Sequence, residues 1–351
     1  MKTLTTFLVL GALCLFSCKK MASTPSNRDP VVTRTYAFDN ATNSSLMFQD
    51  GEAVAVFTAE NRRFEIGKVL RVKAVDETTI EVSNFAPVDL MEVTIWCTID
   101  GFAQPIKLFN IKKIRAHATQ TIKYPFVEGT NKFMDVDGHV VDLSKYQTTG
   151  IPVKQVSFDF TGETELVKKL KKLSKLKWTI KMTDIDSHND PNNNWKDDPD
   201  AKDARRFTGL MINLAYVFQD ETTRRDFVNE PITNNNGVLF SMAEKEQIYE
   251  RLLSIPRFDC DVCVNVAGLG GGSSFGLINY HLRLYLTSNG ASSTAMHEIG
   301  HMLGFSHSSS MTYAIVGRGA VTPIMANYDR MLKNNELPIT ATNLYLSSDM
   351  Q

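Results

Sequence analysis

Eleven consecutive residues, His297-Glu298-Ile299-Gly300-His301-Met302-Leu303-Gly304-Phe305-Ser306-His307, hold three histidines, a carboxylate and a glycine at spacings that suit a metal centre. On a helix, positions four apart share one face, so His297 and His301 can offer two imidazole nitrogens to one zinc ion. Glu298 follows the first histidine directly, close enough to such an ion to take a proton from a water held there. Gly304 can adopt the left-handed conformation that ends a helix and turns the chain. That turn would bring His307 back as a third ligand and leave a fourth position open, as in catalytic rather than structural zinc sites. The chain has only 7 histidines and 20 glycines in 351 residues. At that composition the full pattern arises by chance in roughly one chain in a hundred thousand.

The elements that must position these groups are partly readable. Ala295, Ile299 and Met302 recur at helical spacing behind the histidines, and Ser292, Ser293 or Thr294 can cap the start of that helix. At these residues the chain resembles the metzincin clan of zinc endopeptidases, and the string His297-Glu298-Ile299-Gly300-His301 resembles that of a group of bacterial secreted peptidases. The resemblance implies one catalytic zinc, a protein or peptide substrate, and a methionine turn beneath the metal. Met325, in Thr322-Pro323-Ile324-Met325-Ala326-Asn327-Tyr328, is the expected turn methionine; Met311, in Ser309-Ser310-Met311-Thr312-Tyr313, is the other candidate. Tyr328 then becomes a possible fifth ligand or transition-state stabiliser. The glycine-rich Gly268-Leu269-Gly270-Gly271-Gly272 lacks both G-x-G-x-x-G and the G-K-[ST] ending of a phosphate loop. It resembles the clan's stretch beside the edge strand that pairs with extended substrate. Ile278, Tyr280, Leu282, Leu284 and Leu286 alternate as a strand feeding the zinc helix would.

The rest of the chain frames this region. Its length suggests about two domains. Hydrophobic content of 43%, charged content of 22% and a net charge of −1 are ordinary globular values that give no reason to expect nucleic acid as a partner. Residues 1–17 read as an export signal with a positive Lys2 and an apolar run from Leu4 to Phe16. Leu15-Phe16-Ser17-Cys18 resembles a bacterial lipoprotein cleavage box, which implies a lipid anchor on Cys18 and a bacterial outer-membrane or cell-surface location. Residues 18–30 form a polar tether. Residues 31–162 are expected to form an all-β, sandwich-like domain, from short runs at Ala53–Phe57, Lys68–Val75, Thr79–Val82, Val93–Thr98 and Ile111–Ala116. Residues 163–351 are expected to form the α+β, metzincin-like zinc domain: a twisted mixed sheet, a backing helix and the zinc helix.

Within that second region, Leu166–Leu176 reads as a basic amphipathic helix packing its leucines on the domain. Trp178, Ile180 and Met182 alternate as a strand, Phe258–Val266 reads as another, and Met242–Ser254 as a helix. Phe207–Phe218 shows no assignable period. The stretch from Asp184 to Asp203 is crowded with Asp and Asn and reads as a solvated loop; an oxygen-rich loop can also hold calcium, although the spacing is not that of an EF-hand. His117 and His139 are isolated, and structural roles are expected for them. Cys97, Cys260 and Cys263 read as buried thiols; Cys260 and Cys263, three apart on one strand, point to opposite faces and cannot bridge without a turn, and Cys97 lacks the context of a thiolate switch. The expected function is an exported zinc endopeptidase. The alternative is a cell-surface binding or adhesion lipoprotein with a vestigial or latent zinc site.

Overall fold

In the computed structural model the described residues are 31–188, 190, 193–313 and 317–351. The expected signal, tether and Cys18 lie outside them. In chain order the strands are β1 (Thr35–Phe38), β2 (Ser45–Leu46), β3 (Phe64–Glu65), β4 (Leu70–Ala74), β5 (Thr79–Asn84), β6 (Leu90–Ile99), β7 (Ile106–Ile114), β8 (Ala118–Lys123), β9 (Lys132–Asp135), β10 (Val140–Asp142), β11 (Val156–Gly162), β12 (Thr179–Met182), β13 (Phe258–Cys263), β14 (Gly268–Gly271) and β15 (Ser274–Ile278). The helices are α1 (Val54–Phe57), α2 (Glu165–Lys172), α3 (Ala201–Phe218), α4 (Glu221–Asn229), α5 (Met242–Leu253), α6 (Asn279–Leu284), α7 (Gly290–Met302) and α8 (Val321–Lys333).

Two sheets form from the N-terminal β runs. One takes the order β10-β9-β7-β6-β11 with β1 parallel to β7; the other takes β2-β8-β5-β4. Alternation puts Val93, Ile95, Cys97 and Ile99 of β6 inward, where they join one core with Ile80 and Val82 of β5. The third sheet is mixed, in the order β14-β15-β13-β12-β3. Its β12, β13 and β15 run parallel, and β14 and β3 are antiparallel edges. The β3 edge comes from the N-terminal region: Phe64 and Glu65 pair with Ile180 and Thr179. Arg205 of α3 likewise donates to Phe48 O at 2.7 Å and pairs with Asp50 at 2.9 Å. The boundary expected near residue 163 therefore does not separate two bodies, and Val32–Gln351 is one compact unit.

Several expectations change for identifiable reasons. Ala53–Phe57 is not a strand but ends in the short helix α1; with no strand beside it, its backbone is satisfied locally by Val56 N–H to Ala53 O and Thr58 N–H to Val54 O. The stretch without a period is α3, the central helix, and almost all of its residues are buried. A helix covered on every side has no polar face to reveal its pitch. The alternation from Ile278 to Leu286 is not a strand: β15 ends at Ile278 and α6 follows. The buried members there are Leu282, Tyr285 and Leu286, three and four apart, which is helical spacing. The basic helix α2 buries Val167 and Leu170, while Lys168 and Lys171 pair with Glu163 and Asp159. Among the described residues no helix is long and apolar enough to cross a membrane.

His117 is buried against the Phe48 ring, 5.3 Å between centroids, beside Arg205. Burial, then the Arg205 charge, lowers its pKa from 6.5 to about 3. The unfolded chain gains this proton as the pH falls through 6.5, whereas the folded chain resists until about 3. Acid therefore favours unfolding across that window. His117→Phe is expected to flatten the loss of stability between pH 6.5 and 4.5, by about 1.4 kcal/mol per pH unit. Urea unfolding at the two pH values checks it; parallel slopes for the two proteins would exclude His117 as the source.

Candidate metal centre

Helix α7 carries His297, Glu298 and His301 and starts earlier than its serines suggested. Its N-cap is Asn289, and Ser292 Oγ donates back to Asn289 O rather than capping. At the other end Gly304 has φ of +90°. Phe305 N–H donates to Gly300 O at 3.0 Å and Gly304 N–H to His301 O at 2.9 Å, the paired bonds of a Schellman turn. The reversal brings His307 back to the helix face. Ring centroids are 4.8 Å apart for His297 and His301, 5.2 Å for His297 and His307, and 4.7 Å for His301 and His307. One ring nitrogen from each of the three lies within 4.8 Å of the others.

The outer nitrogens of two rings are fixed. His297 Nδ1 donates to Thr312 O at 2.5 Å and His301 Nδ1 donates to Phe305 O at 2.8 Å. With the proton held at Nδ1, each Nε2 presents a lone pair, and the two Nε2 atoms face each other at 3.2 Å. Such a donor set fits a tetrahedral zinc ion with three nitrogen ligands. Glu298 stands beside it, Oε1 lying 3.9 Å from His297 Nε2 and the residue only 4% exposed. Burial pushes its carboxyl up to about 7.

The third sheet places its β14 edge over this helix. A Cβ on Gly268 would come within 2.6 Å of Glu298 Oε1, and one on Gly270 within 2.4 Å of Glu298 O. Only glycine allows the strand to lie this close. Strand and helix bound a cleft of about 670 Å³ that holds all three histidines and Glu298 and is also lined by Thr294, Thr312, Tyr313 and Val321. The outer edge of β14 has no partner strand among the described residues.

Two expected residues are displaced. Met325 does not form a turn, because it sits inside α8. Met311 is the methionine in the tight chain against the site: it is fully buried, and its carbonyl lies so near α7 that a Cβ on Gly300 would be 2.9 Å away. Tyr328 is buried with its hydroxyl on Tyr285 O at 2.6 Å, so it does not serve the centre. Tyr313 is the tyrosine there, its ring 4.5 Å from His297 and 4.8 Å from His307. Spacing pointed to it only through Ser309-x-Met311-x-Tyr313. The thiols take no part. Cys97, Cys260 and Cys263 are free and buried, and burial raises the Cys97 thiol to about 12. His139 joins Asp135 and Asp137 on an exposed turn of the first sheet.

Sequence reasoning missed a bracket between α4 and α5. Asn235 accepts from Ser306 N–H at 2.9 Å, and its Nδ2 donates to Gly304 O at 3.3 Å. Ser308 Oγ donates to Asn235 O at 2.8 Å. Thr233 N–H donates to Ser310 Oγ at 2.7 Å, and Ser309 Oγ donates to Thr233 O at 2.6 Å. These bonds hold both sides of the loop that carries His307. No local pattern could have shown it, since the partners lie some 70 residues apart.

No protein-family model matches the chain, and comparison with curated proteins and with solved structures returns no match.

Asn235→Ala is expected to weaken zinc binding about tenfold to a hundredfold, because His307 loses the support of its loop. Competition against a chromophoric chelator measures this. An unchanged affinity would mean that the loop holds its shape without Asn235.

Proposed function

We propose that this chain is a zinc-dependent endopeptidase of metzincin type, exported and held at the cell surface by lipid on Cys18. The observation that carries the reading is the pair of Nδ1 bonds that turn His297 and His301 toward His307, with buried Glu298 alongside. His297, His301 and His307 would hold the zinc, which when bound supplies a Lewis acid that polarises the scissile carbonyl and makes water acidic.

The chain's own residues account for the remaining steps. Glu298 accepts the proton of the attacking water and gives it to the leaving amine nitrogen as the C–N bond breaks. Its burial makes its carboxylate a stronger base than an exposed one, which suits that transfer. The unpaired outer edge of β14 offers backbone N–H and C=O groups to a substrate in extended form. Gly268 and Gly270 let that edge sit close to Glu298, so a peptide paired there runs past the histidines. Tyr313 stands at the rim beside His297 and His307, placed to face charge developing on the carbonyl oxygen.

The test is terminal sequencing of a peptide library incubated with the zinc-loaded full chain and with Glu298→Gln. New termini are expected from the native protein only, with cleavage by the variant down at least about a hundredfold at equal zinc content. Equal cleavage by the two proteins would sink the mechanism; bound zinc without new termini would favour the binding-protein alternative.

A further inference from the structure

Helix α6 packs against α7 and brings His281 to Thr294. His281 Nδ1 and Thr294 Oγ1 are 3.0 Å apart, and either can donate. This is the one hydrogen bond of the His281 side chain among the described residues. The ring is half-buried, and a Cβ on Gly290 would meet its edge at 3.6 Å, so the first turn of α7 backs it. His281 itself does not line the cavity that holds the three histidines.

Thr294 does line that cavity. It stands one helical turn before Glu298 on the same face of α7. Three atoms crowd the place where a Cβ on Gly268 would sit: Glu298 Oε1 at 2.6 Å, Thr294 Cγ2 at 2.7 Å and Glu298 Cγ at 2.9 Å. The methyl of Thr294, and not its hydroxyl, therefore faces β14 and the Glu298 side chain. A threonine in a helix divides between two χ1 wells. A turn about χ1 can put the hydroxyl where the methyl now stands. There it would meet a buried carboxyl that no donor reaches among the described residues, an acceptor that attracts such a group.

We propose that His281 is a positioning residue: by holding the Thr294 hydroxyl at its Nδ1, it keeps that hydroxyl off Glu298 and leaves only the methyl in the cleft. The catalytic consequence rests on the endopeptidase reading. A Thr294 hydroxyl donating to Glu298 would occupy the lone pair that has to accept the proton of the attacking water. Positions four apart on a helix make that bond easy to form. His281 supplies the competing partner, and the methyl then fills the space under Gly268, where β14 lies against α7.

Nuclear magnetic resonance of the isotope-labelled, zinc-loaded full chain tests this. Three-bond couplings from the Thr294 methyl carbon to its own backbone nitrogen and carbonyl carbon report χ1. One well is expected in the native chain. His281→Phe, close in size, is expected to give averaged couplings or a second well. His281→Asn, which can keep an amide at the Nδ1 position, is expected to retain the native ones. In kinetics His281→Phe is expected to lower kcat about tenfold, with KM within about twofold and zinc affinity unchanged. In a Thr294→Val background, which has no hydroxyl to turn, the same substitution is expected to change nothing. Native couplings in His281→Phe, an undiminished kcat, or an equal loss in the Thr294→Val background overturns the inference. Should His281→Phe fail to fold, His281→Leu takes its place with the same outcomes. The couplings need no catalysis: a native chain that cleaves no peptide would sink the endopeptidase reading, whereas the couplings would still report on His281.

Discussion

Two hydrogen bonds from imidazole to backbone carbonyl govern this molecule's candidate chemistry. By taking the protons at His297 Nδ1 and His301 Nδ1, Thr312 O and Phe305 O fix which nitrogen of each ring faces inward. Both carbonyls belong to the chain just beyond α7, so the orientation of the helical histidines depends on a loop that follows them. Gly304 sets how that loop leaves the helix, and Thr233 and Asn235 set where it stays. The third histidine rides on the same loop. One stretch of irregular backbone thus presents His307 and orients the two histidines on the helix.

A second dependence runs through α7 to the sheet. Glu298 is buried because β14 lies over it, and β14 can lie there because Gly268 and Gly270 lack side chains. The same contact raises the carboxyl's affinity for a proton and brings an unpaired strand edge beside the cleft. The carboxyl's raised proton affinity and the open strand edge beside the cleft therefore share one physical origin. Any side chain that pushed the strand outward would alter both together.

The parts that could be read from the sequence are those whose spacing is local. The eleven-residue pattern brings the three histidines together through helical pitch and a glycine turn, and both depend on neighbours in the chain. Strands β5, β6, β7 and β12 show themselves by β-branched alternation. What stayed hidden is set by tertiary surroundings. Helix α3 has no polar face, α6 mimics alternation over a few residues, and Ala53–Phe57 lacks the strand partner its composition suits. Met325 and Met311 could not be separated by composition, because the choice rests on which segment packs under α7. The Asn235 bracket likewise exists only after the fold has brought two distant loops together.

The antiparallel pairing of Phe64–Glu65 with β12 also bears on how such a chain could be rearranged over evolutionary time. A sheet edge donated by the N-terminal half makes the C-terminal half a poor unit of exchange. Moved alone into another protein, it would carry β12 with its outer edge unpaired, open to whatever strand it met. The two halves thus share one sheet. Their partnership is written into hydrogen bonds rather than into a linker.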